Sequence, residues 1–253
     1  MYNPMDPSPT LVSAWVSAAE RLKDEGPLYG LMLHIEDPTA FLDGEREIVS
    51  TVDAFLKDRG KHGIGTVSNT IFPADLDRGD GIAALTERYR TAYARRMGRA
   101  GEWGRYFERL VSWRHGQESW NQLEEIIAIL KKIADGGKHY ENATELAIFE
   151  PTRDQRRKTN RQCMSFIELK PDHYKRLHMM VVYRNHYYVQ RTLGNLIGLG
   201  RLQNFIARES GFECGTLTIQ STHACLDDDR DIKLKDVAAL IESCSGRHQA
   251  LAA

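Results

Sequence analysis

No apolar run in the sequence approaches the roughly 20 residues that a helix needs to cross a bilayer, so none predicts a membrane span. The opening MYNPMDPSPT has neither the charged start nor the apolar centre of a secretory leader, and the expected location is the cytoplasm. An excess of charge of one sign is missing as well. Lys plus Arg number 34 against 35 Asp plus Glu, a net charge of -1, which excludes a global pull toward nucleic acid or anionic lipid and leaves only local anion binding. Cysteine is scarce. The four present, Cys163, Cys214, Cys225 and Cys244, show no CxxC spacing and no paired Cys/His pattern, so neither a zinc site nor a redox pair is indicated. In a reducing compartment they are expected as free thiols. Internal repeats and low-complexity linkers are also lacking.

What is present suffices for an ordinary globular core, since 42% of the residues are hydrophobic and the length allows one large domain or two small ones. Apolar residues at helical spacing predict amphipathic helices over 10–23, with Leu11, Trp15, Ala18 and Leu22, and over 45–57, with Ile48, Val52 and Leu56. The stretch 61–73, KHGIGTVSNTIFP, reads as a glycine turn entering a β-branched strand. Helices are expected again at 82–96, at 120–133 ahead of Gly136 and Gly137, and at 195–209. Strands are expected at 145–149, 163–169, 178–183 and 215–220, with no domain boundary among them.

One cysteine has unusual company. Cys163 stands in RQCMSFIELK, after Arg153, Arg156, Arg157, Lys158 and Arg161 and one strand ahead of Arg184. A lone cysteine at a strand start reads either as a small buried side chain or as a nucleophile whose thiolate nearby cations favour. If 163–169 and 178–183 pair antiparallel, Arg184 approaches Cys163, which favours the second reading.

The segments QCMSFIEL, LHMMVVYRNH, GNLIGLGRLQNFIA and STHACLD, in that order, resemble the thymidylate synthase and pyrimidine hydroxymethylase superfamily. That family shows Pro-Cys-His opening a strand, Gln-Arg-Ser-x-Asp about twenty residues on, an Asn starting the next helix and His-x-Tyr on a later strand. Here Arg184 follows Cys163 by 21 positions, Asn195 follows Arg184 by 11, and His223 comes after the next helix and strand. Upstream, GIGTVSNTIF resembles the family's Arg-Thr-Gly-Thr-Gly-Thr loop and GRYFERLVSW its Gly-Pro-x-Tyr-Gly-x-x-x-Arg-x-Trp stretch, so the likeness covers roughly 51–227.

The resemblance implies a single α/β (α+β) domain over 51–253, with a curved, largely antiparallel sheet flanked by helices. It leaves 1–50 as a helical extension and implies a homodimer with sheets packed back to back. It implies modification of carbon 5 of a pyrimidine nucleotide or nucleoside, by hydroxymethylation or methylation, after thiolate addition at carbon 6. Cys163 is then the nucleophile and Tyr106 a member of the proton-transfer network. Arg184 stabilises the thiolate and binds phosphate, Lys61 stands for the loop's phosphate-binding arginine, Asn195 reads the base, His223 contacts the sugar, and Asn185 joins them in substrate binding. The implied one-carbon donor is 5,10-methylenetetrahydrofolate. Each residue has a plainer reading too: Asn195 as a helix N-cap, Tyr106 as core, Arg184 and His223 as structural.

Departures fall mostly on the folate and phosphate sides. Tyr187 takes the place of the aspartate that engages the pterin, Met164 replaces the histidine after the nucleophile, and SCSGRHQALAA bears little resemblance to the family's apolar tail. The family's paired arginines fall on Thr144 and Glu145, and His-x-Tyr becomes His223-Ala224-Cys225. Two further readings therefore stand beside the first. One is a folate-independent relative acting at carbon 5 as a dehalogenase or decarboxylase. The other is a noncatalytic nucleotide- or RNA-binding relative using the basic run 153–158, against which the balanced charge and the lack of interleaved aromatics argue.

Overall fold

Side chains alternate across a strand, so the burial pattern of neighbouring strands defines the two faces of a sheet. The structure, a computed structural model, describes residues 1–97, 105–115, 118–140, 142–155 and 161–252. In chain order its elements are β1 (Asn3–Pro4), α1 (Leu11–Glu25), β2 (Leu28–Ile35), α2 (Glu45–Asp58), α3 (Ile64–Ser68), α4 (Ile82–Met97) and α5 (Tyr106–Val111). There follow β3 (Trp113–His115), β4 (Glu118–Trp120), α6 (Gln122–Ala134), β5 (Glu145–Ala147), α7 (Pro151–Asp154), β6 (Met164–Pro171) and β7 (Arg176–Tyr183). The chain ends through β8 (His186–Tyr187), a π-helical turn at Tyr188–Thr192, α8 (Leu193–Ser210), β9 (Glu213–Cys225) and α9 (Leu234–Ala252). Among these residues no helix is long and apolar enough to cross a membrane.

The main sheet runs β1-β2-β9-β7-β6-β5, with β8 also paired to β9. Its packed face is built in rows: Ile167, Val181, Ile219 and Leu33 lie side by side, as do Leu169, Met179, Leu217 and Ile35, and all are buried. Intervening positions form rows on the other face, Phe166, Val182, Gln220 and Met32, then Glu168, Met180, Thr218 and His34, which are only half-covered or exposed. Helices cover the first face. Trp15 of α1 is fully buried and its indole N–H donates to the Tyr188 carbonyl at 2.7 Å.

The expectation of a largely antiparallel sheet is corrected to a mixed one. Pairs β2–β9, β6–β7 and β5–β6 are antiparallel, whereas β1–β2, β7–β9 and β8–β9 are parallel. The reason is α8, an 18-residue crossover that returns the chain so that β9 runs alongside β7 in the same direction. A second correction concerns 1–50. This segment is not a helical extension, because β2 lies inside the sheet and pairs along β9 from Leu28↔Ala224 to Ile35↔Leu217. A third concerns 61–73, where helix α3 replaces the expected strand entry. Asp53 Oδ1 accepts the Ile64 N–H at 2.7 Å at its start, and Ile64 and Val67 are buried, so packing overrides β-branched propensity.

Helix α8 approaches its neighbours closely because its crowded face lacks side chains. A Cβ at Gly200 would stand 2.2 Å from the Pro38 carbonyl oxygen and one at Gly198 would stand 2.8 Å from the Ser68 carbonyl oxygen, both inside van der Waals contact. These glycines hold the helix that carries Asn195 against α3 and the loop after β2.

Candidate active site

The β6–β7 hairpin sets the first pair of site residues. Met164 lies opposite Tyr183, and one residue beyond, the Arg184 N–H donates to the Cys163 carbonyl at 2.8 Å. The Arg184 guanidinium folds back onto the carbonyl of Gln162 and lies 5.5 Å from the Phe149 ring centroid. Past Arg184 the chain passes through β8 and the π-helical turn into α8, which returns Asn195 to the same end of the sheet.

Tyr106 enters from α5. Its hydroxyl accepts the backbone N–H groups of Cys163 and Met164 at 3.2 and 3.4 Å, and burial, followed by the neighbouring Cys163, pushes its pKa above the usual phenol range. The hydroxyl therefore keeps its proton at neutral pH. The short helix α5 is secured by Arg109, which binds both oxygens of Asp154 at 2.6 and 2.9 Å and donates to the Ile148 carbonyl at 2.7 Å. Both partners are almost fully buried, and the nearby guanidinium holds Asp154 below the ordinary carboxylate range against the opposing effect of burial.

Cys163 is half-buried. Burial pushes its thiol up, and the charges of Arg184 and Arg191 oppose that rise. Cys214 and Cys225 lack this relief: burial, reinforced by Asp37 and Asp227 respectively, pushes them up to about 12 and about 11. Of these three thiols Cys163 is the one at which neighbouring cations offset part of the cost of burial.

Asn195 is buried within the first turn of α8, where Thr192 precedes the helix, so the N-cap reading does not apply. Its Nδ2 lies 3.1 Å from His186 Nε2, while His186 Nδ1 lies 3.0 Å from Ser221 Oγ. His186 stacks on Tyr183 with ring centroids 4.0 Å apart and planes 9° apart, and burial lowers its pKa to about 3. A neutral imidazole has one donor and one acceptor nitrogen, so Ser221, His186 and Asn195 form a chain with a fixed sense.

A cavity of about 600 Å³ opens between these elements. Cys163, Tyr106, Asn185 and Asn195 all line it. Arg184 stands behind Cys163 and His223 behind Asn185, whose Oδ1 it contacts through Nδ1. Lys61 is drawn to Asp229 and Asp231 at 2.9 and 3.0 Å, contacts that raise its pKa. Tyr187 lines the cavity and is 45% exposed, whereas Met164 is buried in the core. Thr144 and Glu145 are elsewhere: Thr144 is buried beside Glu168 and Lys170, and Glu145 is exposed on β5. Arg156, Arg157 and Lys158 of the basic run lie outside the described residues, as does the side chain of Arg153.

Several lining residues were not anticipated: His186, Gln190, Arg191 and the acidic run Asp227, Asp228 and Asp229. The acidic run was visible as three consecutive aspartates just past the STHAC strand, but such a run in isolation reads as solvated loop. His186 gave no signal, because its role depends on burial. Compared with models of known protein families and with curated proteins, the chain matches none.

Proposed function

We propose that this chain is an enzyme of the thymidylate synthase and pyrimidine hydroxymethylase type, acting at carbon 5 of a pyrimidine through thiolate addition at carbon 6. The observation that carries the reading is convergence: Cys163 before β6, Tyr106 on α5 and Asn195 on α8, far apart in sequence, line one cavity of about 600 Å³. Such a volume suits a nucleoside-sized ligand.

In the proposed reaction the Cys163 sulfur bonds to carbon 6 and the ring's π electrons shift toward carbon 5 and the carbon 4 oxygen. Carbon 5 then takes an electrophile, its original hydrogen leaves as a proton, and the sulfur–carbon bond breaks to restore the ring. Arg184 and Arg191 favour the thiolate, and the Asn195 amide, held by His186, meets the base edge. Tyr106 keeps the Cys163 backbone in place and retains a phenolic proton beside the sulfur. A solvent proton is the simplest electrophile, and exchange with it needs no co-reactant.

The sequence resemblance aligns Tyr187 with the carboxylate that engages a pterin, and a half-exposed phenol lining the cavity argues against 5,10-methylenetetrahydrofolate. This favours a second reading in which the same thiolate chemistry proceeds without folate, as decarboxylation, where carbon 5 takes a proton and CO2 leaves, or as dehalogenation, where carbon 5 takes a proton and an added thiol reductant takes the halogen. The resemblance also carries a homodimer, and the half-covered rows through Phe166 and Glu168 are the surface it would bury; a single-chain mass by sedimentation velocity would remove that expectation.

The test is release of tritium to water from carbon 5 of labelled uracil and cytosine nucleosides and nucleotides, with and without methylenetetrahydrofolate. Release is expected from at least one base. Dependence on folate would restore the one-carbon reading, release without it would favour the second, and no release from any compound would overturn the proposal.

A further inference from the structure

The acidic run after β9 makes one wall of the cavity, and its members differ in what they have left to offer. Asp229 is saturated: Oδ2 accepts from Lys61 and Gln190, each at 2.9 Å, and Oδ1 accepts the N–H groups of Asp231 and Ile232 at 2.8 and 3.0 Å. Asp227 is not. It is only 1% exposed, and its Oδ2 accepts the Val189 and Gln190 N–H groups of the π-helical turn at 2.7 and 3.2 Å. Its Oδ1 is buried with no hydrogen-bond partner. Among the described residues it is the one buried, unpartnered side-chain oxygen or nitrogen that belongs to a residue lining the cavity. The turn's donors meet Oδ2 and leave Oδ1 without one. A buried acceptor without a donor is costly, and a ligand that brings a donor removes the cost.

A phosphate is the wrong ligand for this wall. The lysine expected to bind it is held by Asp229 and Asp231, the Arg184 guanidinium donates to the Gln162 carbonyl, and Arg161 donates to the Gln155 carbonyl at 2.6 Å. Arg105 and Arg191 also line the cavity, Arg191 with its charge acting on the Cys163 thiol, but neither belongs to the acidic run. A phosphate dianion would meet the carboxylates of Asp227 and the exposed Asp228, whereas a sugar hydroxyl is a neutral donor that a carboxylate oxygen accepts well.

Resting on the function proposed above, we propose that the cavity takes an unphosphorylated pyrimidine nucleoside, whose sugar hydroxyls donate to Asp227 Oδ1 and to Asp228. The 5′-monophosphate is selected against by the same wall.

The experiment is calorimetric binding of uridine, cytidine, their 2′-deoxy counterparts and the corresponding 5′-monophosphates, paired with tritium release from carbon 5. Monophosphates are expected to bind at least tenfold more weakly than the nucleoside of the same base. In Asp227→Asn the amide oxygen can keep both backbone N–H bonds while an NH₂ replaces Oδ1, so nucleoside binding is expected to weaken at least tenfold with the thermal midpoint retained. Should that variant fail to fold, the exposed Asp228→Asn is expected to weaken nucleosides about threefold and to narrow the gap to the monophosphates. Monophosphates that bind as tightly as nucleosides, or nucleoside binding unchanged in the folded variants, would overturn the inference while leaving carbon 5 chemistry standing. Nucleoside binding without tritium release would remove the chemistry and keep the inference. No binding by any of these probes would overturn both.

Discussion

Cys163→Ser is expected to lower tritium release from carbon 5 by at least about a thousandfold, with little change in thermal stability. A serine hydroxyl is a far weaker nucleophile at neutral pH than a thiol, and the hydrogen-bond contact of the Cys163 side chain is to a backbone carbonyl, which cannot act as its base. The stability side follows from geometry. The Cys163 sulfur is half-buried and its hydrogen-bond contact is a weak one, 4.0 Å to the Arg161 carbonyl, while the backbone around it is held by Tyr106 and Arg184 rather than by its own side chain. A variant that retains release within tenfold of wild type would assign the chemistry to another group.

The pH dependence has a definite sign. Burial pushes the Cys163 thiol up, so at neutral pH the thiolate is a minor form, and its fraction grows about tenfold per pH unit until the pKa is reached. Alkylation by iodoacetamide should follow the same slope between about pH 6 and 8. Removing a cation in Arg184→Gln makes the thiolate less favourable, pushes the thiol further up and lowers alkylation at pH 7 by roughly tenfold, the equivalent of one pKa unit. An alkylation rate that is flat with pH would mean that the reacting thiol is not this one.

How much of this could be read from residues alone depended on the kind of pattern involved. Helices α1, α2, α4, α6 and α8 carry apolar stripes at helical spacing and lie within a few residues of where that spacing predicts them. The meeting of Cys163 and Arg184 was legible because β6 and β7 are joined by a short hairpin, which fixes the register and therefore the neighbour across it. Strand direction was not legible, since alternation reports which face a residue occupies and not which way its strand runs. The largely antiparallel sheet was implied by the resemblance alone, and β9, delivered by α8, runs parallel to β7 though antiparallel to β2. The segment LYGLMLHI was overlooked for a related reason: as β2 it owes its place to pairing with β9, nearly two hundred residues away. Within the site, Asn185 and Tyr187 were singled out and His186 between them was not. All three line the cavity, and it is His186, the most buried of them, that orders Asn195.

His186 supplies the second large effect, on stability rather than rate. An imidazole ordinarily titrates near 6.5, and burial lowers that of His186 to about 3. Between those values the unfolded chain takes up a proton that the folded chain refuses, so stability is lost as the pH falls through the window, at about 1.4 kcal/mol per unit. By pH 5 the loss is about 2 kcal/mol, a large fraction of the net stability of an ordinary domain. Asp227 works in the opposite sense, because burial raises its pKa and protonation relieves the penalty of its charge. Urea midpoints measured from pH 7 down to 4.5 should therefore fall steeply for the wild type and more gently for His186→Gln, whose side chain has a donor and an acceptor but no titration in this range. Parallel curves for the two proteins would sink the assignment. Activity separates the two consequences. Because folded His186 stays neutral down to about 3, Asn195 keeps its partner throughout, and the specific activity of the fraction still folded should show no histidine titration near 6.5 from this residue. A site that loses stability in acid before it loses its geometry is what a buried, neutral imidazole hydrogen-bonded to the Asn195 amide produces.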